Sequence, residues 1–178
     1  MKTVFFDIDS QLDFLYPAGA LYVPDAERIV PAIARLNRFA AAQGIPVVST
    51  TDAHTENDPE FSVWPPHCIA GTWGQRKAAP TLLEGTSQII VEKQTVDVFQ
   101  APDFVRVVER LNADRYVVYG VVTEICVLYA ARGLLKTGKP VTLVTDAVKA
   151  LTTEASARAL EEVCAGGGSL ATVSEICP

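Results

Sequence analysis

Basic clusters, cysteine pairs and long apolar runs are all missing from this chain, and each absence removes a class of function. Lysine and arginine number 15 against 21 acidic residues, leaving a net charge of −6 with no positive patch. Nucleic acid and anionic membrane surfaces are therefore excluded as main partners. No apolar stretch approaches the roughly 20 residues needed to cross a bilayer, and no signal-type segment precedes the first strand, so the expected compartment is the cytoplasm. The four cysteines, Cys68, Cys126, Cys164 and Cys177, have no zinc-finger spacing and are too few to staple a chain of 178 residues, which predicts reduced thiols. Cys164 and Cys177 read as small buried hydrophobes. Histidine is scarce: only His54 and His67 occur, both in one segment, so any imidazole chemistry is concentrated there.

What is present is alternation. With 49% hydrophobic residues the chain can bury a full core, and its length suits one domain over residues 1–178. Strand-like runs near 4–8, 46–51, 87–92, 116–121, 140–145 and 169–173 are interleaved with helical patterns. The first helix is expected from a cap at Asp25 to about Gln43, with Gly44 as its stop and Pro31 near its first turns. Others are expected at 102–112, 124–137 and 153–165. This order predicts an α/β fold: a doubly wound, mainly parallel, six-stranded sheet with helices on both faces, Rossmann-like in outline. Residues 53–86 break the rhythm with prolines and glycines, and a loop that long in a compact domain is usually functional.

Chemistry-bearing residues sit at the ends of four apolar runs. Val4–Ile8 leads to Asp9, Pro46–Thr51 to Asp52, Ile89–Glu92 to Lys93, and Tyr116–Gly120 through a short turn to Cys126. In a parallel sheet such ends converge on one crevice. Asp52 and His54 are two apart and leave a strand end on the same face, while Glu60 and His67 follow in the long loop. Two imidazoles and two carboxylates suit one divalent transition metal, Zn²⁺ first, then Fe²⁺ or Mn²⁺. Cys126 is expected in the first turn of a helix, where unpaired N–H groups and the dipole favour a thiolate, with Lys93 adding to that effect. Asp9 could take and return the proton. Asp7, two residues before Asp9, is expected on the same face as a competing acid, and Asp146 is expected to order a loop.

These residues resemble the isochorismatase-like cysteine hydrolases, and within them the nicotinamidase branch, over nearly the full chain. Asp9-Ser10-Gln11-Leu12-Asp13-Phe14 is similar to the family's opening motif, Lys93 to Phe99 to its lysine segment, and Gly120 to Val127 to its nucleophile turn. Asp52-Ala53-His54, Glu60-Phe61-Ser62 and Trp64-Pro65-Pro66-His67-Cys68 resemble the nicotinamidase metal segment. The resemblance implies an isochorismatase-like hydrolase fold and a catalytic triad of Asp9, Lys93 and Cys126. It also implies an oxyanion hole from the backbone amides of Val122 and Cys126 after a cis Val121–Val122 peptide, and metal ligands Asp52, His54, Glu60 and His67. Phe14, Trp64 and Phe99 would hold the ring of a small heteroaromatic amide, and a homo-oligomer is implied by resemblance alone. The implied reaction is conversion of nicotinamide to nicotinate and ammonia through a thioester. Two departures stand out: Glu60 where several nicotinamidases place a histidine, and Leu12 where an asparagine is common. Another amide or ureide hydrolase with the same triad, or a non-catalytic metal-binding member, stays open at this point.

Overall fold

The structure, a computed structural model, describes residues 1–85 and 88–178. The last residue of the expected 53–86 loop and the first of the strand expected from 87 lie outside the described residues. In chain order the elements are β1 (Thr3–Ile8), α1 (Leu12–Leu15), α2 (Val30–Ala42), β2 (Val47–Asp52), β3 (Gln88–Lys93), α3 (Pro102–Leu111), β4 (Arg115–Val121), α4 (Leu128–Leu135), β5 (Val141–Lys149), α5 (Thr153–Ala165), β6 (Ser169–Ala171) and α6 (Val173–Ile176). The six strands form one sheet in the order β3-β2-β1-β4-β5-β6, and every neighbouring pair is parallel. No helix among the described residues is long and apolar enough to cross a membrane.

All six residues of β1 are buried, as expected of a central parallel strand covered on both sides. Its side chains alternate between the two layers. Phe5 meets Phe39 of α2 at 6.5 Å between ring centroids, whereas Phe6 meets Phe104 of α3 at 5.5 Å. From β1 the chain winds outward through β2 to β3, then crosses to β4 and winds the other way. The reversal falls between β1 and β4, and the crevice above that point is where a doubly wound sheet takes ligands. Asp9 and Cys126 follow the two strands that flank it.

Local sequence explains how those ends are shaped. Gly120 has φ +120°, and a Cβ there would lie 2.1 Å from the Ile8 carbonyl oxygen, so only glycine lets β4 approach β1 this closely. The Val121–Val122 peptide that follows is cis. The helix expected from 124 begins instead as a π-helical turn, Thr123–Val127, which carries Cys126 and runs into α4. The expected Asp25 cap does not form. Asp25 sits at φ 61° without a side-chain cap, a 3₁₀ turn Ala26–Ile29 intervenes, and α2 starts at Val30. Pro31 thereby falls in its first turn, where a missing N–H is tolerated. Cys177 is buried, but Cys164 is exposed on α5. Asp146 accepts the Val173 N–H at 2.7 Å and anchors the start of α6.

Asp7 requires a correction. Asp9 adopts φ 49°, which breaks the strand alternation, so the two acids part. Asp7 stays on the α2 side, where it accepts hydrogen bonds from Ser10 Oγ at 2.7 Å and Asn37 Nδ2 at 2.8 Å and pairs with Lys77. Tyr119 Oη donates to Asn37 Oδ1 at 2.6 Å, completing a buried polar layer beneath the crevice. Removing one partner of a buried ion pair leaves an uncompensated charge. Lys77→Met is therefore expected to lower stability by about 3–5 kcal/mol, read as a shift of the urea midpoint. The double variant Asp7→Asn/Lys77→Met should recover part of that loss.

Candidate active site

Three strand ends meet around one ammonium group. Lys93 Nζ lies 2.9 Å from Asp9 Oδ2, contacts Asp52 Oδ1, and donates toward Cys126 Sγ at 3.8 Å. All four residues are buried. Register does this work: Asp52 pairs with Lys93 across β2 and β3, and Asp9 reaches the same point because its backbone turns as β1 ends. Thr50 Oγ1 donates to Asp9 Oδ1 at 2.6 Å, holding the carboxylate from the β2 side.

Charge determines the protonation states here. Burial alone would neutralise Lys93, but Asp52 and Asp9 override it and hold its pKa well above the ordinary lysine range. Burial pushes the Asp9 carboxyl up against the pull of Lys93, which makes it a better base near neutral pH. The Cys126 thiol is also pushed well up: burial is the main cause, Lys93 opposes it, and Asp9 and Asp52 add to it. Burial and the two carboxylates thus oppose the thiolate that the helix turn and Lys93 were expected to favour. One ammonium facing two carboxylates has no positive charge left over for a sulfur anion. In metal-stripped protein, alkylation of Cys126 by iodoacetamide, followed on its tryptic peptide, is expected to climb with pH beyond the ordinary thiol range. A plateau near neutrality would overturn this ordering of charges.

A second cluster adjoins the first. Donor atoms of Asp52, His54 and His67 all lie within 4.8 Å of one another. Asp52 divides its oxygens, Oδ1 going to Lys93 and Oδ2 lying 3.9 Å from His54 Nε2. His54 Nδ1 is 3.0 Å from Asp58 Oδ2, and His67 Nδ1 is 2.8 Å from the Pro65 carbonyl oxygen. Both rings are thus fixed through Nδ1, and His54 Nε2 is buried with no hydrogen-bond partner. Burial disfavours a charged His54, yet Asp52 and Asp58 carry its pKa up to about 9. An imidazole facing such carboxylates sits in a field that draws cations. Glu60 stands at the edge of the group, its Oε1 3.9 Å from His67 Nε2, and its carboxyl is pushed up by burial and by Asp52. This donor set fits a borderline divalent metal.

The long loop that carries these residues is ordered by its own contacts. His54 forms a parallel bridge with Ile69, and Gln11 an antiparallel one with Lys77. Gln11 Nε2 donates to the Asp52 carbonyl at 2.8 Å and Gln11 Oε1 accepts from the Asp52 N–H at 2.7 Å. Asp13 Oδ2 accepts the Cys68 N–H at 2.7 Å. From sequence Gln11 was legible only as part of the opening motif, and Asp58 carried no expected role. The spacing of four between His54 and Asp58 was the available signal for the latter.

Above the clusters is a cavity with largely apolar walls, lined by Phe14, Leu21, Val23, Trp64, Val96, Val121, Val122, Ile125 and Leu151, with Asp52, Glu60, His67 and Cys126 also at its surface. Phe14 stacks toward His67, ring centroids 5.4 Å apart. Phe99 is not there. It packs on Phe104 at 5.1 Å and on the bare backbone of Gly133, where a Cβ would come within 2.0 Å of its ring. It is a packing residue between α3 and α4, and Val96 takes the pocket position instead.

Fold and site together define an enzyme of the hydrolase class on a doubly wound α/β frame. The chain matches the Isochorismatase domain over residues 3–175, and it belongs to the isochorismatase family. Among curated relatives, the nicotinamidase of Escherichia coli (strain K12) is 24% identical, with 94% of this chain and 93% of the relative covered. Among solved structures, the pyrazinamidase of Pyrococcus horikoshii in complex with zinc is 30% identical with a TM-score of 0.89, covering 97% of this chain and 99% of that one. The pyrazinamidase/nicotinamidase of Streptococcus mutans UA159 is 26% identical with a TM-score of 0.89, covering 96% and 100%. The chain is nicotinamidase-like within its family.

Proposed function

We propose that this protein is a metal-dependent cysteine amidohydrolase that converts nicotinamide to nicotinate and ammonia. The observation that carries the reading is the meeting of Cys126, Lys93 and Asp9 with the Asp52, His54 and His67 donors beneath a single apolar pocket. The nicotinamidase and pyrazinamidase relatives support the choice of substrate, and the zinc in the Pyrococcus horikoshii pyrazinamidase supports Zn²⁺.

Asp52, His54 and His67 would hold the metal, with Glu60 beside them. When bound, the ion supplies a Lewis-acid anchor for a heteroaromatic ring nitrogen. Phe14 and Trp64 flank the ring and keep water from it. Asp9 removes the Cys126 proton as sulfur attacks the carboxamide carbon, and the oxyanion is received by the Val122 and Cys126 N–H groups. Lys93 remains a cation throughout, offsetting the negative charge that passes from carboxylate to sulfur. Asp9 then returns its proton to the leaving nitrogen, ammonia departs, and an acyl thioester remains. In the second half Asp9 takes a proton from water, hydroxide adds to the thioester, and collapse expels sulfur, which regains the proton. The carboxylic acid so formed gives its proton to solvent, and nicotinate leaves as an anion, which Asp9, Asp52 and Glu60 repel.

A single domain over residues 1–178, a homo-oligomer and a reducing, cytoplasmic compartment complete the proposal, the last suited to the four free cysteines. Ammonia release from nicotinamide is expected from the wild type, with loss of at least about a thousandfold in Cys126→Ala and loss on chelation that Zn²⁺ reverses. Absence of release with Zn²⁺, Fe²⁺ or Mn²⁺ supplied would transfer the triad to another amide or a ureide. Asp58→Ala, which frees the His54 ring, should weaken metal affinity about 10–100-fold, measured by competition with a chromogenic chelator.

A further inference from the structure

Glu124 lies on the turn that carries the nucleophile, between Val122 and Cys126, yet it does not line the pocket. Its Oε1 accepts the backbone N–H of Leu151 at 3.0 Å, and Leu151 does line the pocket. Leu151 is a large apolar side chain left 38% exposed, so it stands at the mouth rather than in the core. A second tie joins the same stretch to the segment that follows Leu21 and Val23 of the pocket wall: Lys149 Nζ is 3.6 Å from Asp25 Oδ2. That pair is solvent-accessible, with side chains 34% and 48% exposed, and contributes little. The Glu124 bond is charge-assisted and therefore the stiffer of the two.

We infer that Glu124 is a positioning residue that fixes Leu151 over the pocket mouth and thereby restricts the site to single-ring amides. The inference rests on the amide reading for its substrate, but not for its geometry. Because Glu124 and Cys126 share one turn, the distance from the sulfur to the Leu151 wall is set by the same short segment that sets the sulfur. A residue kept only for stability would be poorly chosen here, since Glu124 Oε2 is buried without a partner and offsets much of what Oε1 gains. Glutamine at this position would still present a carbonyl to the Leu151 N–H, whereas alanine would release it.

The test compares wild type, Glu124→Ala, Glu124→Gln and Leu151→Ala. Modification of Cys126 by iodoacetamide and by the bulkier N-phenylmaleimide is followed on its tryptic peptide, and KM and kcat are measured for nicotinamide and quinoline-3-carboxamide. Glu124→Ala and Leu151→Ala should raise the maleimide-to-iodoacetamide rate ratio and lower the preference for nicotinamide, each by about 10-fold. In Glu124→Ala the change for nicotinamide should fall in KM and leave kcat nearly constant, and Glu124→Gln should retain the wild-type ratio. A wild-type ratio in Glu124→Ala, or a widened mouth in Glu124→Gln, overturns the inference. Cys68, fully buried, reports folding through its resistance to both reagents, and Glu124→Ser replaces Glu124→Ala if that resistance is lost. Were wild type to release no ammonia, the amide reading would fail while the reagent ratio still decided the role of Glu124.

Discussion

The buried ammonium of Lys93 is the charge around which the rest of the site is arranged. Three strands deliver its partners: Asp9 from β1, Asp52 from β2 and the Cys126 turn from β4. A cation at full burial is sustained only by paired carboxylates, and those same carboxylates cannot be moved without leaving it exposed to a low-dielectric interior. The acid of the proposed triad and the first donor of the proposed metal cluster are therefore joined through one side chain. Asp52 expresses this directly, one oxygen on Lys93 and the other toward His54.

Beneath that layer a second lysine repeats the arrangement on the opposite face of the sheet. Lys77 pairs with Asp7 and contacts Ser10, the residue between Asp9 and Gln11. The Asp9–Gln11 segment thus has its centre anchored downward by Ser10, while Asp9 faces the thiol and Gln11 holds the backbone of Asp52 from both sides. Rigid placement of both clusters comes from this short run of chain. The long loop adds its own restraint, since His54 and His67 are each fixed through Nδ1 before any ligand arrives.

The electrostatics divide the work between resting and reacting states. Burial and the two carboxylates favour a neutral thiol at Cys126, and in the proposed mechanism Asp9, raised by burial, accepts its proton when a carbonyl carbon is presented. A divalent ion held at the neighbouring donors would shift that balance toward the thiolate by adding positive charge to the crevice. The apolar walls above strengthen each of these interactions by excluding water.

Much of this was legible in the chain itself because it rests on local pattern. Apolar runs of strand length, alternating with helical periodicity, determined the parallel α/β frame, and residues placed at the ends of those runs could only converge. The scarcity of histidine pointed to one loop. What sequence could not decide were matters of direction and distance. Asp7 and Asp9 are separated by a positive φ that period-two reasoning does not contain, and Phe99 is drawn away by the open backbone of Gly133 on a helix distant in sequence. Gln11 and Glu124 make hydrogen bonds between segments that meet only once the sheet is assembled, whereas the Asp58–His54 contact is local, four residues apart. The pull on the Cys126 proton likewise depends on the sum of burial and of charges brought from three strands, a quantity that exists only in the folded crevice.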